Sequence, residues 1–175
     1  MILIVGLGNP GKKYQNNRHN VGHMFIDYLL KNPNDKSQIT NEFQNPNFKF
    51  LKTDCYMNQS GSFFKKTLHV THYTLHDLIV VHDDLDIPLG KFHIQKGVGP
   101  QLHNGLESIE QNLKSKDFWR IRIGVDARNK ERWINGETYV LDNFLNEEKN
   151  ILEMEVFPKI YPQLIEQLKD PSVSR

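Results

Sequence analysis

Apolar positions in this chain follow two periods. Met1-Ile2-Leu3-Ile4-Val5 is an unbroken apolar run that stops at Gly6, the pattern of a strand buried on both faces. Gly6 to Asn20 is rich in glycine and polar residues and reads as a loop. Val21, Phe25, Tyr28 and Leu29 then recur at helical spacing, which predicts a helix over 20–30 packed on the sheet. Lys31 to Asn47 is polar, contains Pro33 and Pro46, and carries no period. Phe48 to Leu51 alternates as a strand does. Phe63, Phe64 and Leu68 give a helix over 58–70, and Asp77 to His82 a second buried strand. Leu89 to Lys96 reads as a weaker strand. Leu106, Ile109 and Leu113 mark a third helix, and Trp119, Ile121, Ile123 and Val125 another strand. Tyr139 to Leu141 fits either pattern. From Asn146 to Leu168 the apolar spacing is helical, and Pro158 and Pro162 are expected to kink or split that helix. Strands alternating with helices predict an α/β fold, a single domain over 1–175 with a twisted mixed β-sheet flanked by helices.

Charge narrows the partners. Twenty-two basic and 21 acidic residues give a formal net charge of +1, so the molecule is no polycation. Two basic groups, Lys12, Lys13 and Arg18, and Arg120, Arg122, Arg128, Lys130 and Arg132, read as solvated faces unless they meet phosphates. Cys55 is the single cysteine, which suits a reducing compartment. No stretch approaches the ~20 apolar residues that span a bilayer, and the expectation is a cytoplasmic protein.

Four features carry chemistry. Gly6-Leu7-Gly8-Asn9-Pro10-Gly11 fits the glycine pattern of a dinucleotide turn. No apolar helix pattern opens after it, and the acidic residue expected after a second strand is missing. The turn reads better as a device that presents Asn9 above the sheet edge. His19 lies between that turn and the first helix, where rigid elements fix it, and histidine suits general base work near neutral pH. His82-Asp83-Asp84-Leu85-Asp86 follows a buried strand; three acids could hold Mg²⁺ or Ca²⁺, but the full calcium-loop pattern is absent. Asp83 could instead orient a histidine ring, as a triad aspartate does. Asn9, Asn58 and Asn104 are amides at turns that could grip a peptide backbone; singly, each is as readily a cap, Asn58 of the helix that it precedes. His69, His72 and His76 lack a completing ligand and read as surface residues.

Together these stretches resemble the bacterial-type peptidyl-tRNA hydrolase family. The resemblance is carried by Leu3-Ile-Val-Gly-Leu-Gly-Asn-Pro-Gly11 with Tyr14, Arg18-His-Asn-Val-Gly22 and Tyr56-Met-Asn-Gln-Ser-Gly61. It continues through Val81-His-Asp-Asp-Leu-Asp-Ile-Pro-Leu-Gly90, His103-Asn-Gly-Leu106, Phe118-Trp-Arg-Ile-Arg-Ile-Gly124 and Tyr139-Val-Leu141. It implies a monomeric, cofactor-free esterase that cuts the bond between an N-blocked peptide and the tRNA 3′ end. His19 would activate water, Asp83 would orient His19, and Asn9 would discriminate blocked from free amino ends. Asn58, Asn104 and His103 would hold peptide and tRNA, with Tyr14 and Tyr56 lining the site and Lys96 and Arg122 meeting phosphates of the acceptor stem. No G-x-S-x-G nucleophile elbow is present, in keeping with attack by water.

The sequence departs from that family in three places. Gly97-Val-Gly-Pro-Gln-Leu102 replaces a glycine-rich run, and Val98, Pro100 and Leu102 are expected to stiffen it. Asn17 stands where threonine is usual, and the Lys31 to Asn47 stretch is short. The stiffened loop motivates an alternative, a catalytically impaired RNA-binding relative of the same fold. A nucleotide-dependent enzyme built on the glycine turn is a third reading.

Overall fold

A computed structural model describes residues 1–31, 47–129 and 134–169. Its sheet has five strands in the order β2-β1-β3-β5-β4. They are β1 (Ile2–Gly6), β2 (Phe48–Lys52), β3 (Leu78–Pro88), β4 (Phe92–Lys96) and β5 (Trp119–Asp126). All pairs are parallel except β4 with β5. The α-helices are α1 (Val21–Lys31), α2 (Ser60–Thr71), α3 (Asn104–Leu113), α4 (Gly136–Leu141), α5 (Asn146–Ile151) and α6 (Phe157–Lys169). The α/β class and the mixed sheet expected from the hydrophobic pattern are the observed ones.

Strand alternation sorts the apolar residues into two cores. Ile4, Ile79, Val81 and Ile121 pack with Phe25 and Ile26 of α1 and with Phe157 and Ile160 of α6. Leu3, Val5, Leu78 and Val80 face the other way, onto Phe64 of α2 and Leu106 and Ile109 of α3. Helices therefore cover both faces, which is why the inner strands are continuous apolar runs.

α1 starts where main chain meets main chain. A Cβ on Gly22 would lie 2.4 Å from the Val81 carbonyl oxygen, and one on Gly6 would lie 2.3 Å from that of Gly22. Only glycine permits this approach. It sets the start of α1 against the ends of β1 and β3, and so fixes where the preceding turn comes down.

Three elements differ from the sequence reading. β3 does not end at His82 but runs to Pro88, paired with β5 through Asp83 and Asp84. Acids at 83 and 84 read as loop, yet both side chains are buried with partners and the ladder continues past them. Asn58 lies in the 3₁₀ turn Met57–Gln59, and Gln59 is the residue at the cap position of α2. The tail is not split by its prolines: α5 runs into a π-helical turn, Leu152–Val156, and then into α6. The wider turn ends just before Pro158, which has no N–H to donate. Pro162 sits inside α6. The polar stretch over 32–46, with Lys130 and Arg132, lies outside the described residues. Among the described residues no helix is long and apolar enough to cross a membrane.

Candidate active site

The strand order reverses at β1, since the chain goes to β2 on one side and returns as β3 on the other. Open α/β sheets bind ligands at such a point, outside the carboxyl ends of the strands. A cleft of about 930 Å³ lies there, and its lining includes Asn9, His19, Asp83 and His103.

His19 occupies the 3₁₀ turn Arg18–Asn20 immediately before α1. Its Nδ1 lies 2.8 Å from Asp83 Oδ1, and both side chains are buried. Burial alone pushes the Asp83 pKa up, but the neighbouring His19 and His103 outweigh it and hold the carboxyl well below the usual carboxylate range. A carboxylate only accepts. The His19 proton therefore sits on Nδ1, and Nε2 keeps its lone pair for a ligand in the cleft. Burial also opposes a charged His19, yet the charge and hydrogen bond of Asp83 overcome this and raise its pKa above the ordinary value. The pair is built to receive a proton on Nε2.

His103 meets the same carboxylate oxygen, its Nε2 3.0 Å from Asp83 Oδ1. Its Nδ1 accepts the main-chain N–H groups of Gly105 at 3.1 Å and Leu106 at 3.2 Å, capping α3. Two donors aimed at Nδ1 place the proton on Nε2, which donates to Asp83. The sequence reading grouped His103 with substrate-binding residues; in the structure both of its nitrogens are engaged within the protein. His19, Asp83 and His103 bring ligand-type atoms within 4.8 Å of one another. A cation on His103 Nε2 would force the proton onto Nδ1, against those two donors, so the hydrogen bonding opposes a metal here. His82, fully buried, donates from Nδ1 to the Asp83 carbonyl at 2.7 Å. Burial, with His103 beside it, pushes its pKa well below the ordinary histidine value.

Asn9 is fixed from both sides. Its main-chain N–H donates to Asn20 Oδ1 and its carbonyl accepts from Asn20 Nδ2, each at 2.9 Å. Its side-chain Oδ1 accepts the Met57 N–H at 2.8 Å. The amide oxygen is thereby assigned, and Nδ2 offers its donors to the cleft. Asn20 thus locks Asn9, a role that the sequence did not reveal. Asn58, Asn104 and the exposed Tyr56 line the cleft. Tyr14 stands behind Tyr56 in an edge-to-face contact with centroids 6.4 Å apart. The opposite wall includes Leu85 together with Gly136, Glu137, Val140 and Leu141 of α4, none of which the sequence assigns to the site.

The basic residues fall differently from expectation. Arg122 is buried, Nε at 2.7 Å from Asp84 Oδ2 and an Nη at 2.6 Å from Gln95 Oε1, so it does not present its charge to a phosphate. Arg120 is likewise buried against Glu110, and Lys96 pairs with Asp117 away from the cleft lining. Arg128 does line the cleft, paired with Asp126. Lys12 and Lys13 are exposed, as a solvated face requires, but Arg18 is buried. The Gly6–Gly11 turn is followed by a three-residue 3₁₀ turn, Lys12–Tyr14, not by a helix N-terminus that could receive a pyrophosphate.

Residues 3–171 match the family model described as peptidyl-tRNA hydrolase. The chain belongs to the peptidyl-tRNA hydrolase family. The peptidyl-tRNA hydrolase of Fervidobacterium nodosum is 42% identical over 156 residues, covering 87% of this chain and 81% of that protein. That of Wolinella succinogenes is 40% identical over 164 residues, covering 90% and 82%. The crystal structure of peptidyl-tRNA hydrolase from Acinetobacter baumannii matches with a TM-score of 0.71 at 27% identity, over 96% of this chain and 94% of that one. The match to the peptidyl-tRNA hydrolase model spans every cleft residue, from Asn9 to Leu141.

Proposed function

We propose that this protein hydrolyses peptidyl-tRNA, cutting the ester between an N-blocked peptide and the tRNA 3′ end with water activated by His19. The observation that carries the reading is the His19–Asp83 pair at 2.8 Å with Nε2 left free beside the cleft. Water gives a proton to Nε2 as its oxygen attacks the ester carbonyl carbon. The carbon–oxygen bond to the ribose then breaks, and the imidazolium returns the proton to the leaving ribose oxygen. Asp83 favours the imidazolium that forms in between. A ribose hydroxyl leaves readily enough that no covalent nucleophile and no cofactor enter the scheme. Asn9 Nδ2 supports a role in receiving the carbonyl of the blocked amino group, and Asn58 and Asn104 stand where they can hold the peptide and the 3′ end.

The 3′ end passes Tyr56, and the acceptor stem follows over the exposed Lys12 and Lys13. Lys13 Nζ lies 4.5 Å above the Tyr14 ring, so charge and aromatic surface adjoin there. Such contacts supply salt-dependent affinity and no sequence reading. On this reading the chain works as a monomeric, single-domain cytoplasmic enzyme.

The test offers purified protein N-acetylated and free aminoacyl-tRNA side by side. The acetylated ester is expected to be cleaved with a kcat/KM higher by roughly tenfold or more, because a site built to pair with an acyl group loses that pairing with a free amine. Equal cleavage of both counts against a site that reads the blocked amino end; salt-sensitive tRNA binding with cleavage of neither counts against the esterase and favours the RNA-binding alternative.

A further inference from the structure

Arg18 adjoins His19 in sequence, yet it is only 5% exposed. One Nη lies 2.7 Å from Glu148 Oε2, and the other donates to the Tyr139 carbonyl at 3.4 Å. The guanidinium carbon sits 4.0 Å from the Tyr139 ring centroid and 5.5 Å from that of Phe144. Glu148 Oε2 also accepts the Leu145 N–H at 2.8 Å. Main chain continues the same seam: Arg18 N donates to Asp142 O at 3.1 Å and Phe144 N to Asn16 O at 2.9 Å. Asn17 Nδ2 bonds Asn143 Oδ1 at 2.8 Å, and Lys149 Nζ bonds Asn16 Oδ1 at 2.7 Å.

The far side of this seam is α4. A six-residue helix cannot hold itself and depends on anchors. One anchor is the Tyr139 hydroxyl, which accepts the Ala127 N–H at 3.0 Å and donates to the Val125 carbonyl at 3.2 Å. The other is Arg18, whose flat guanidinium can stack on Tyr139 while bonding Glu148, which an ammonium cannot reproduce. α4 in turn brings Gly136, Glu137, Val140 and Leu141 to the cleft.

We infer that Arg18 is a positioning residue that holds the α4 wall of the cleft at a fixed distance from His19. An acyl group resting on that wall then presents its carbonyl carbon to the water on Nε2. The inference depends on the esterase reading above. A buried charge next to the base thereby governs alignment in addition to folding.

Arg18→Met alone would leave the Glu148 carboxylate buried without its counter-charge. The informative variant is therefore Arg18→Met/Glu148→Gln, which removes both charges and keeps an oxygen for the Leu145 N–H. Arg18→Lys with Glu148 intact is the conservative comparison, and it carries the test if the double variant melts below the assay temperature. Wild type is assayed first on N-acetyl-aminoacyl-tRNA. Hydrogen exchange is then followed over 136–149, with affinity for deacylated tRNA, kcat and KM. In the folded double variant, exchange over 136–149 is expected to rise and kcat to fall about tenfold to a hundredfold, the usual penalty for misplacing reactants by an ångström. Affinity for deacylated tRNA stays unchanged, and Arg18→Lys recovers part of kcat. A folded variant with wild-type kcat, or with exchange unchanged over 136–149, overturns the role of Arg18. Wild type that cleaves neither ester overturns the esterase reading and this inference with it, and the exchange data still report separately whether Arg18 holds α4.

Discussion

Replacing His19 with alanine is expected to lower kcat on N-acetyl-aminoacyl-tRNA by about 10²–10⁴-fold, the range for a positioned general base. The structure makes this a clean experiment. His19 reaches the protein through one side-chain bond, to Asp83, and that carboxylate keeps His103 as a donor when the imidazole is gone. The cost in stability is about that of one buried hydrogen bond to a charged group, ~1.5–3 kcal/mol. Binding of deacylated tRNA, measured by salt-dependent titration, is expected to persist. A His19→Ala protein that turns over at the wild-type rate would remove the imidazole from the mechanism.

Asp83→Asn is expected to lower kcat by about 10²–10³-fold, the range for losing one preorganised electrostatic group. In many histidine–carboxylate pairs the same change also reverses the tautomer, because the new amide can turn its NH₂ toward the ring. Here His103 prevents that. Its Nε2 carries a proton and needs an acceptor at the position of Asp83 Oδ1, so the asparagine must present its oxygen there, and that oxygen also serves His19. The tautomer survives and the charge alone is lost. The pH profile separates the two effects. In wild type the raised His19 pKa places the acid limb of kcat/KM above the ordinary 6.5, and the rate climbs as the base loses its proton. Without the Asp83 charge, burial dominates and the limb shifts to lower pH. A limb that does not move would show that Asp83 does not stabilise the imidazolium.

Stability follows by linkage, with signs opposite for the two groups. The lowered Asp83 pKa contributes stability that is present above the ordinary 3.8 and lost as pH falls below it. The raised His19 pKa contributes stability that is present below 6.5 and lost as pH rises through its folded value. Denaturant titrations of Asp83→Asn across pH should therefore show a weaker acid-side loss than wild type.

The sequence was most legible where a period or a motif is local. β1 and α1 declare themselves through an apolar run and a helical repeat, and His19 and Asp83 stand out by residue type and position. It was least legible where a charged residue is neutralised from afar. Arg18 and Glu148 are 130 positions apart, and Arg122 and Asp84 are 38 apart. Nothing in the run around Arg120 marks it as buried, so it reads as a basic face. The extension of β3 was hidden for the same reason, since Asp83 and Asp84 read as loop until the partners that allow them inside are known. The family resemblance points to His103 as part of the site, but its cap on α3 depends on a ring orientation that a linear pattern cannot carry.

The close approach of Gly22 to Val81, and of Gly6 to Gly22, has a further consequence. The span from imidazole to carboxylate rests on peptide groups in direct contact, with the Ile26 side chain close beside them and the other surrounding Phe, Ile and Leu residues further off. Drift among those hydrophobic positions can therefore loosen or tighten the interior over generations while the two reacting partners stay in register. Variation at the two glycines has no such latitude, because any larger residue would pry the base away from its acid.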